Sequence, residues 1–227
     1  MAGELSRIVI ATGNPHKVAE LEAIFADVDG LDGVELVGLA DLPGPDGGWR
    51  EPIEDSGTIE GNSELKALDY AEQTGLPCIA DDSGLEVDAL GGAPGVISSH
   101  YCTDGEEVGW PRDKRDAENN AKLLREMEGV KPELRTAKFV CVMTLAMPGR
   151  DVVARTRGEF VGQVGESPAV PRGEHGFGYD PLFLVGPEHT LTAAELPKAE
   201  KNAISHRAKA ARAMAKAIAR IVKSEED

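Results

Sequence analysis

The sequence predicts an α/β fold, a mixed sheet flanked by helices, in a single domain spanning residues 1–227. Three observations carry this prediction. The stretch "RIVIATGNPHKVAELEAIF" (Arg7–Phe25) passes from a β-branched apolar run to apolar residues at helical spacing. "TAKFVCVMTLAM" (Thr136–Met147) is the strongest strand signal in the chain. The C-terminus carries an alanine-rich amphipathic helix over residues 204–222. No stretch reads as a linker between independent domains.

Ile8, Val9 and Ile10 form the first strand. Asn14 suits a helix N-cap and Pro15 the first helical position, with Val18, Leu21 and Phe25 as the apolar stripe. A short strand is expected at Val34–Leu39. The Gly-, Pro- and acid-rich stretch Pro43–Gly57 reads as a long loop, a kind of segment that is often functional. Gly61–Thr74 reads as a helix with Leu65, Leu68 and Ala71 facing inward. "LPCIADDSGLEVDAL" reads as a strand at Cys78–Ala80, a turn at Asp82–Gly84 and a second extended piece. "PRDKRDAENNAKLLREMEG" ends in a helix stopped by Gly129. After Thr136–Met147, a Pro-Gly-Arg turn leads into the antiparallel strand "DVVARTRGEFVGQV". "VPRGEHGFGYDPLFLV" is a glycine-rich loop ending in a short apolar strand. In the last helix Ile204, Ala208, Ala211, Ala215 and Ile218 trace the buried stripe, with Ser205 near its start.

Asp and Glu number 40 against 24 Lys and Arg, a formal charge of −16. That balance argues against nucleic acid or an anionic membrane as partner, because their phosphates are repelled. A small phosphorylated ligand remains compatible, since local cations or a divalent metal act at short range. No apolar run reaches the ~20 residues of a membrane span, and "MAGELSR" has no apolar signal core, so a cytoplasmic protein is expected. Cys78, Cys102 and Cys141 are odd in number and far apart, and read as reduced thiols.

Lys17 poses a local problem. It sits in the first turn of a helix, the positive end of the dipole, where cations are disfavoured. Backbone N–H groups at a helix start bind anions, so a phosphate held by Thr12–Lys17 accounts for it; a solvated lysine is the bland alternative. His206 and Arg207 repeat the pattern at the last helix. "ADDSG" places Asp81 and Asp82 where an apolar strand ends, the usual position of an α/β active site. Neighbouring side chains on extended chain point to opposite sides, so one carboxylate faces the cleft and the other supports the turn. One carboxylate with substrate phosphates is how Mg²⁺ is usually held, and an acid of "EPIEDSG" is a candidate to complete the site. Phe177, Tyr179 and Phe183 cluster in a chain only 4% aromatic, suggesting stacking on a nucleobase, with Asp180 able to bond a base edge or ribose. His16 and Glu20, four residues apart, read as surface partners rather than a metal pair.

These segments, "ATGNPHK", "IADDSGLEVDALGGAPGV", "GFGYDPLF", "TAAEL" and "KNAISHRAKA", resemble in order and spacing the inosine triphosphate pyrophosphatases, and the likeness runs almost end to end. The resemblance implies an elongated α/β fold with two lobes around a nucleotide-binding cleft, and a homodimer. It implies Mg²⁺-dependent hydrolysis of inosine, deoxyinosine and xanthosine triphosphates to monophosphate and pyrophosphate. Carried onto this chain, Thr12, Gly13, Asn14, Pro15, His16 and Lys17 hold the phosphates. Asp82 is the catalytic carboxylate and a metal ligand, Glu54 is the second metal ligand, and Ser83 contacts substrate. Phe177, Gly178, Tyr179, Asp180, Lys201, His206 and Arg207 surround the rest of the nucleotide. The chain departs from the family's "TFxENAxxKA" at Ile59 and Ser63, and has His100 where an arginine is common. The segment Cys102–Asp113 matches no family role. Two other readings stand beside this one: a pyrophosphatase of the septum-formation-inhibitor type acting on other nucleotides, and a non-catalytic nucleotide sensor.

Overall fold

The computed structural model describes residues 5–13, 15–46, 48–149 and 151–224. Along the chain the strands are β1 (Arg7–Ile10), β2 (Glu35–Gly38), β3 (Cys78–Val87), β4 (Pro94–Gly95), β5 (Thr136–Ala146), β6 (Val152–Val164), β7 (Phe183–Val185) and β8 (Leu191–Thr192). The helices are α1 (Pro15–Ala26), α2 (Ile59–Thr74), α3 (Arg112–Glu126), α4 (Lys198–Ile204) and α5 (His206–Lys223). Among the described residues the sheet runs β2-β1-β3-β5-β6-β7-β8, with β4 paired on β3. It is mixed, as expected: β1 is parallel to β2 and β3, while the β6–β7 and β7–β8 pairs are antiparallel. The expected N-cap Asn14 lies outside the described residues.

The chain divides into two compact units. The first comprises the described residues of Met1–Asp82, Cys141–Gly158 and Arg207–Asp227, and the second Ser83–Val140 and Glu159–His206. In the first unit, alternation along the strands separates two cores. Ile8 and Ile10 of β1 and Ile79 of β3 join Leu21 and Phe25 of α1 and Ala211, Met214 and Ile218 of α5. Val9, Cys78 and Ala80 face the other way, onto Ala67, Tyr70 and Ala71 of α2. Strand parity therefore decides which helix each side chain meets. The second unit has its own core around Leu85, Leu123, Met127, Phe160, Tyr179 and Phe183.

Three expectations are corrected. No turn interrupts Asp82–Gly84: β3 runs straight through to Val87. Leu85 and Val87 are buried in the second core, the Leu85 N–H donates to Ser98 Oγ at 2.8 Å, and β4 pairs with Leu85 and Glu86, so the backbone is held extended. The buried stripe of α2 is Ile59, Asn62, Ser63, Ala67, Tyr70 and Ala71, and Leu65 is 36% exposed. Small and polar residues allow close packing on the sheet there; Ser63 Oγ lies 2.9 Å from Thr144 Oγ1 and 3.2 Å from the Ala80 carbonyl it donates to. The last helix starts at His206, because Ser205 is extended; Ile204 ends α4 and is 43% exposed.

Arg135 is the polar keystone of the second unit. It is buried, and its guanidinium donates to the carbonyls of Val164 (2.8 Å), Gly165 (2.7 Å), Met127 (2.7 Å) and Val130 (3.3 Å). Removing it strands these acceptors away from water. Arg135→Ala is expected to lower stability by about 3 kcal/mol in chemical denaturation, with only partial recovery in Arg135→Lys, which lacks the planar fork. Parental stability in Arg135→Ala would show the carbonyls are satisfied without it.

Candidate active site

β3 carries the charges of the first unit. Asp81 shares the parity of Ile79 and faces α1 and α5. Its side chain is 7% exposed, and it accepts from Lys17 Nζ at 2.9 and 3.1 Å and from Arg207 Nε at 3.4 Å. The two cations that sit against their helix dipoles thus share one buried carboxylate. In the protein itself both cations reach Asp81, a partner the sequence reading did not assign to them. Burial alone would raise the Asp81 pKa; Lys17, Arg207 and Lys66 together outweigh burial and hold the carboxyl far below the usual range.

Asp82 shares the parity of Ala80 and faces α2. Lys66 Nζ stands 3.4 Å from Asp82 Oδ1 and 3.3 Å from Glu54 Oε1, so the two acids expected to hold a metal converge on one ammonium. Burial would lower the Lys66 pKa, but Asp82, Asp81 and Glu54 raise it, and the lysine is charged. Glu54 is brought there by a loop fastened at both ends. The Trp49 indole donates to the Leu39 carbonyl, and Ser56 N–H and Oγ both donate to Asn62 Oδ1 of α2. A Cβ on Gly61 would lie 2.3 Å from Ser56 Oγ, so this closure requires glycine.

The local charges differ in sign. Counted over the ion pairs of the described residues, two cations on Asp81 leave an excess of one positive charge, and one cation between Asp82 and Glu54 leaves an excess of one negative charge. The first suits phosphate oxygens. The second suits a divalent cation. Among the described residues no three His, Cys, Asp or Glu side chains are grouped to cage a metal unaided. Mg²⁺ does not ask for such a cage: one or two carboxylates plus substrate phosphates and water suffice, and Asp82 with Glu54 fit that donor set.

Thr12 and Gly13 form the loop between β1 and α1, with open space beside Gly13, and Pro15 begins α1. Asn14 and the His16 side chain lie outside the described residues. Ser83 follows on β3, its Oγ buried with no hydrogen-bond partner among the described residues.

The second unit assembles the aromatic loop. Asp180 is buried; it accepts the Phe177 N–H at 2.8 Å and forms an ion pair with Lys201 of α4. A Cβ on Gly176 would lie 2.2 Å from Asp180 Oδ2, and Gly176 has φ +80°, so only glycine allows the carboxylate to reach under the loop. The result is an outward Phe177 ring, 52% exposed, on a fixed backbone, with Lys201 Nζ 5.3 Å from its centroid. Tyr179 is a core residue whose hydroxyl donates to the Ser98 carbonyl at 2.8 Å and whose own carbonyl accepts from the Leu182 N–H at 2.9 Å. Gly178 is clasped by α3: its N–H donates to Asp116 Oδ2 at 3.0 Å and its carbonyl accepts from Asn120 Nδ2 at 3.0 Å. The His206 ring stacks on Phe139, centroids 5.2 Å apart.

Sequence reading missed Lys66, Asp116 and Asn120. Lys66 had a signal in the family's own "KA" ending of its motif. Asp116 and Asn120, four residues apart on one helix face, could be recognised only once their contact with Gly178 was visible.

Asp81 sets a pH test. Folding depresses its pKa, so its contribution is present above the unfolded carboxylate value, about 3.9, and is lost as pH falls below it. Asp81→Asn leaves the half-buried Lys17 and the largely buried Arg207 without their acid and is expected to cost about 3 kcal/mol at neutral pH by denaturant titration. The gap from the parent should narrow steadily below about pH 4. Equal stability of the two proteins at pH 7 would remove Asp81 from this role.

The Ham1 family model matches residues 8–217. The chain is similar to a protein named dITP/XTP pyrophosphatase from Geobacillus kaustophilus, 48% identical and covering 91% of each chain. It is similar also to one of the same name from Nocardia farcinica, 44% identical over 95% of this chain and 96% of that one. Among solved structures, a HAM1 protein from Coxiella burnetii matches with a TM-score of 0.77 at 36% identity, covering 94% of this chain and 98% of the other. With its motifs in order, its sheet matched and its sequence aligned nearly end to end, the chain belongs to the Ham1 family.

Proposed function

We propose that this protein hydrolyses inosine, deoxyinosine and xanthosine triphosphates to the nucleoside monophosphate and pyrophosphate, with Mg²⁺, as a homodimer in the cytoplasm. The observation that carries the chemistry is the pair of opposite charge excesses on the two faces of β3, one side of Asp81–Asp82 suited to phosphate and the other to a divalent cation. The relatives named dITP/XTP pyrophosphatase support the substrate class. Water attacks the α-phosphorus, an O–P bond forms, the bond from the α-phosphorus to the bridging oxygen breaks, and pyrophosphate leaves.

Lys17 and Arg207 hold phosphate oxygens and, being fixed on Asp81, need no rearrangement as charge develops. Asp82 accepts the proton of the attacking water on its carboxylate, with Lys66 orienting it. Asp82 and Glu54 are the residues to hold Mg²⁺, which when bound neutralises phosphate charge and acidifies water. Phe177 offers a face for the purine. Lys201 beside it can only donate, which favours a keto oxygen over an adenine amino group.

Incubation with Mg²⁺ and a panel of triphosphates is expected to release pyrophosphate from inosine and xanthosine triphosphates, with little from ATP or GTP. Orthophosphate as first product, or no product, would reject the proposal, the latter in favour of a sensor. Asp82→Asn should fold normally and lose about two orders of magnitude or more in kcat, the scale of a lost general base. Lys17→Ala should weaken both KM and kcat; unchanged kinetics would detach Lys17 from the phosphates.

A further inference from the structure

α3 presents Arg112, Asp116 and Asn120 at successive helical turns, all to one target. Asp116 and Asn120 hold the N–H and the carbonyl of Gly178, and the Arg112 guanidinium lies 4.5 Å from the centroid of the Phe177 ring. Arg112 is the first residue of α3, where the dipole disfavours a cation. The other first-turn cations of this helix have close partners: Lys114 lies 3.9 Å from the Trp110 ring centroid, and Arg115 Nη1 is 3.1 Å from His100 Nε2. Among the described residues Arg112 forms a long ion pair with Asp116 Oδ2, 3.7 Å, beside its contact with Phe177, and its side chain is 60% exposed. Phe177 is thus fixed from behind by Asp180, while the guanidinium over its ring is solvent-exposed and held by one long ion pair among the described residues.

We propose that Arg112 is a base-contact residue: the substrate purine enters between the Phe177 ring and the Arg112 guanidinium, which closes on its outer face. This rests on the proposed hydrolysis of purine triphosphates. A guanidinium is flat and stacks on a base as readily as on phenylalanine, so one contact is exchanged for two at small cost. It also gives the end of the Cys102–Asp113 segment a role: Trp110 and Pro111 lead into α3 so that its first residue faces the aromatic loop.

The test is steady-state kinetics with inosine triphosphate and Mg²⁺ on the parent, Arg112→Ala, Arg112→Lys, Phe177→Ala and the double variant Arg112→Ala/Phe177→Ala. Arg112→Ala should raise KM about tenfold with kcat changed far less, the scale of one lost stacking contact. Arg112→Lys, which keeps the charge and loses the plane, should behave like the alanine variant. The double variant separates contact from support: if Arg112 touches the base, its removal still raises KM when Phe177 is already absent. No further rise there, full activity in Arg112→Lys, or an unchanged or lower KM in Arg112→Ala overturns the inference while hydrolysis by the parent stands. A parent inactive on every purine triphosphate overturns the proposed function, and the inference with it.

Discussion

The carboxylate of Asp81 is the point on which the first unit depends. It is buried, it is charged, and it draws Lys17 and Arg207 from the starts of two different helices onto one strand. Each cation is unfavourable where it stands, at the positive end of a helix dipole. A buried carboxylate is unfavourable too unless paired. The three together satisfy one another and still leave one positive charge in excess. A preorganised cationic surface is thereby held in place before any ligand arrives.

Period-two geometry does the rest. Because β3 stays extended through residues 78–87, Asp82 cannot share the environment of Asp81. It turns toward α2, where Lys66 and Glu54 give the opposite balance of charge. A turn at 82–84 would have destroyed this division. Strand pairing with β4 and burial of Leu85 and Val87 keep the backbone straight beyond residue 82. The aromatic loop follows a similar logic in the second unit. Its backbone is over-determined by Asp180, Asp116 and Asn120, and the Phe177 ring is left outward on a rigid base.

Much of this was legible in the residues, and the parts that were not have physical causes. Strand β1, helix α1 and the long strand β5 are marked by local apolar periodicity. The α2 face was misread because apolar residues were taken to face inward, whereas close packing on the sheet selects Asn62, Ser63 and Ala67. Ile204 was misplaced because Ser205 breaks a pattern that is continuous in composition but not in backbone. In the site, Lys17 was recognised as anomalous and its partner was not: Asp81 is 64 residues away, and sequence spacing says nothing about such a pairing.

By itself the sequence determined the chemical inventory: cations at two helix starts, adjacent acids at the end of a buried strand, and a glycine-flanked aromatic. It determined as well the motif order that matches the family. Only the tertiary structure decided which acid neutralises which cations, that Lys66 stands between Asp82 and Glu54, and that the helix beginning at Arg112 lies along the aromatic loop. The reason is that composition and periodicity are local properties. Pairing of charges across the fold depends on strand parity and on which helix packs on which face.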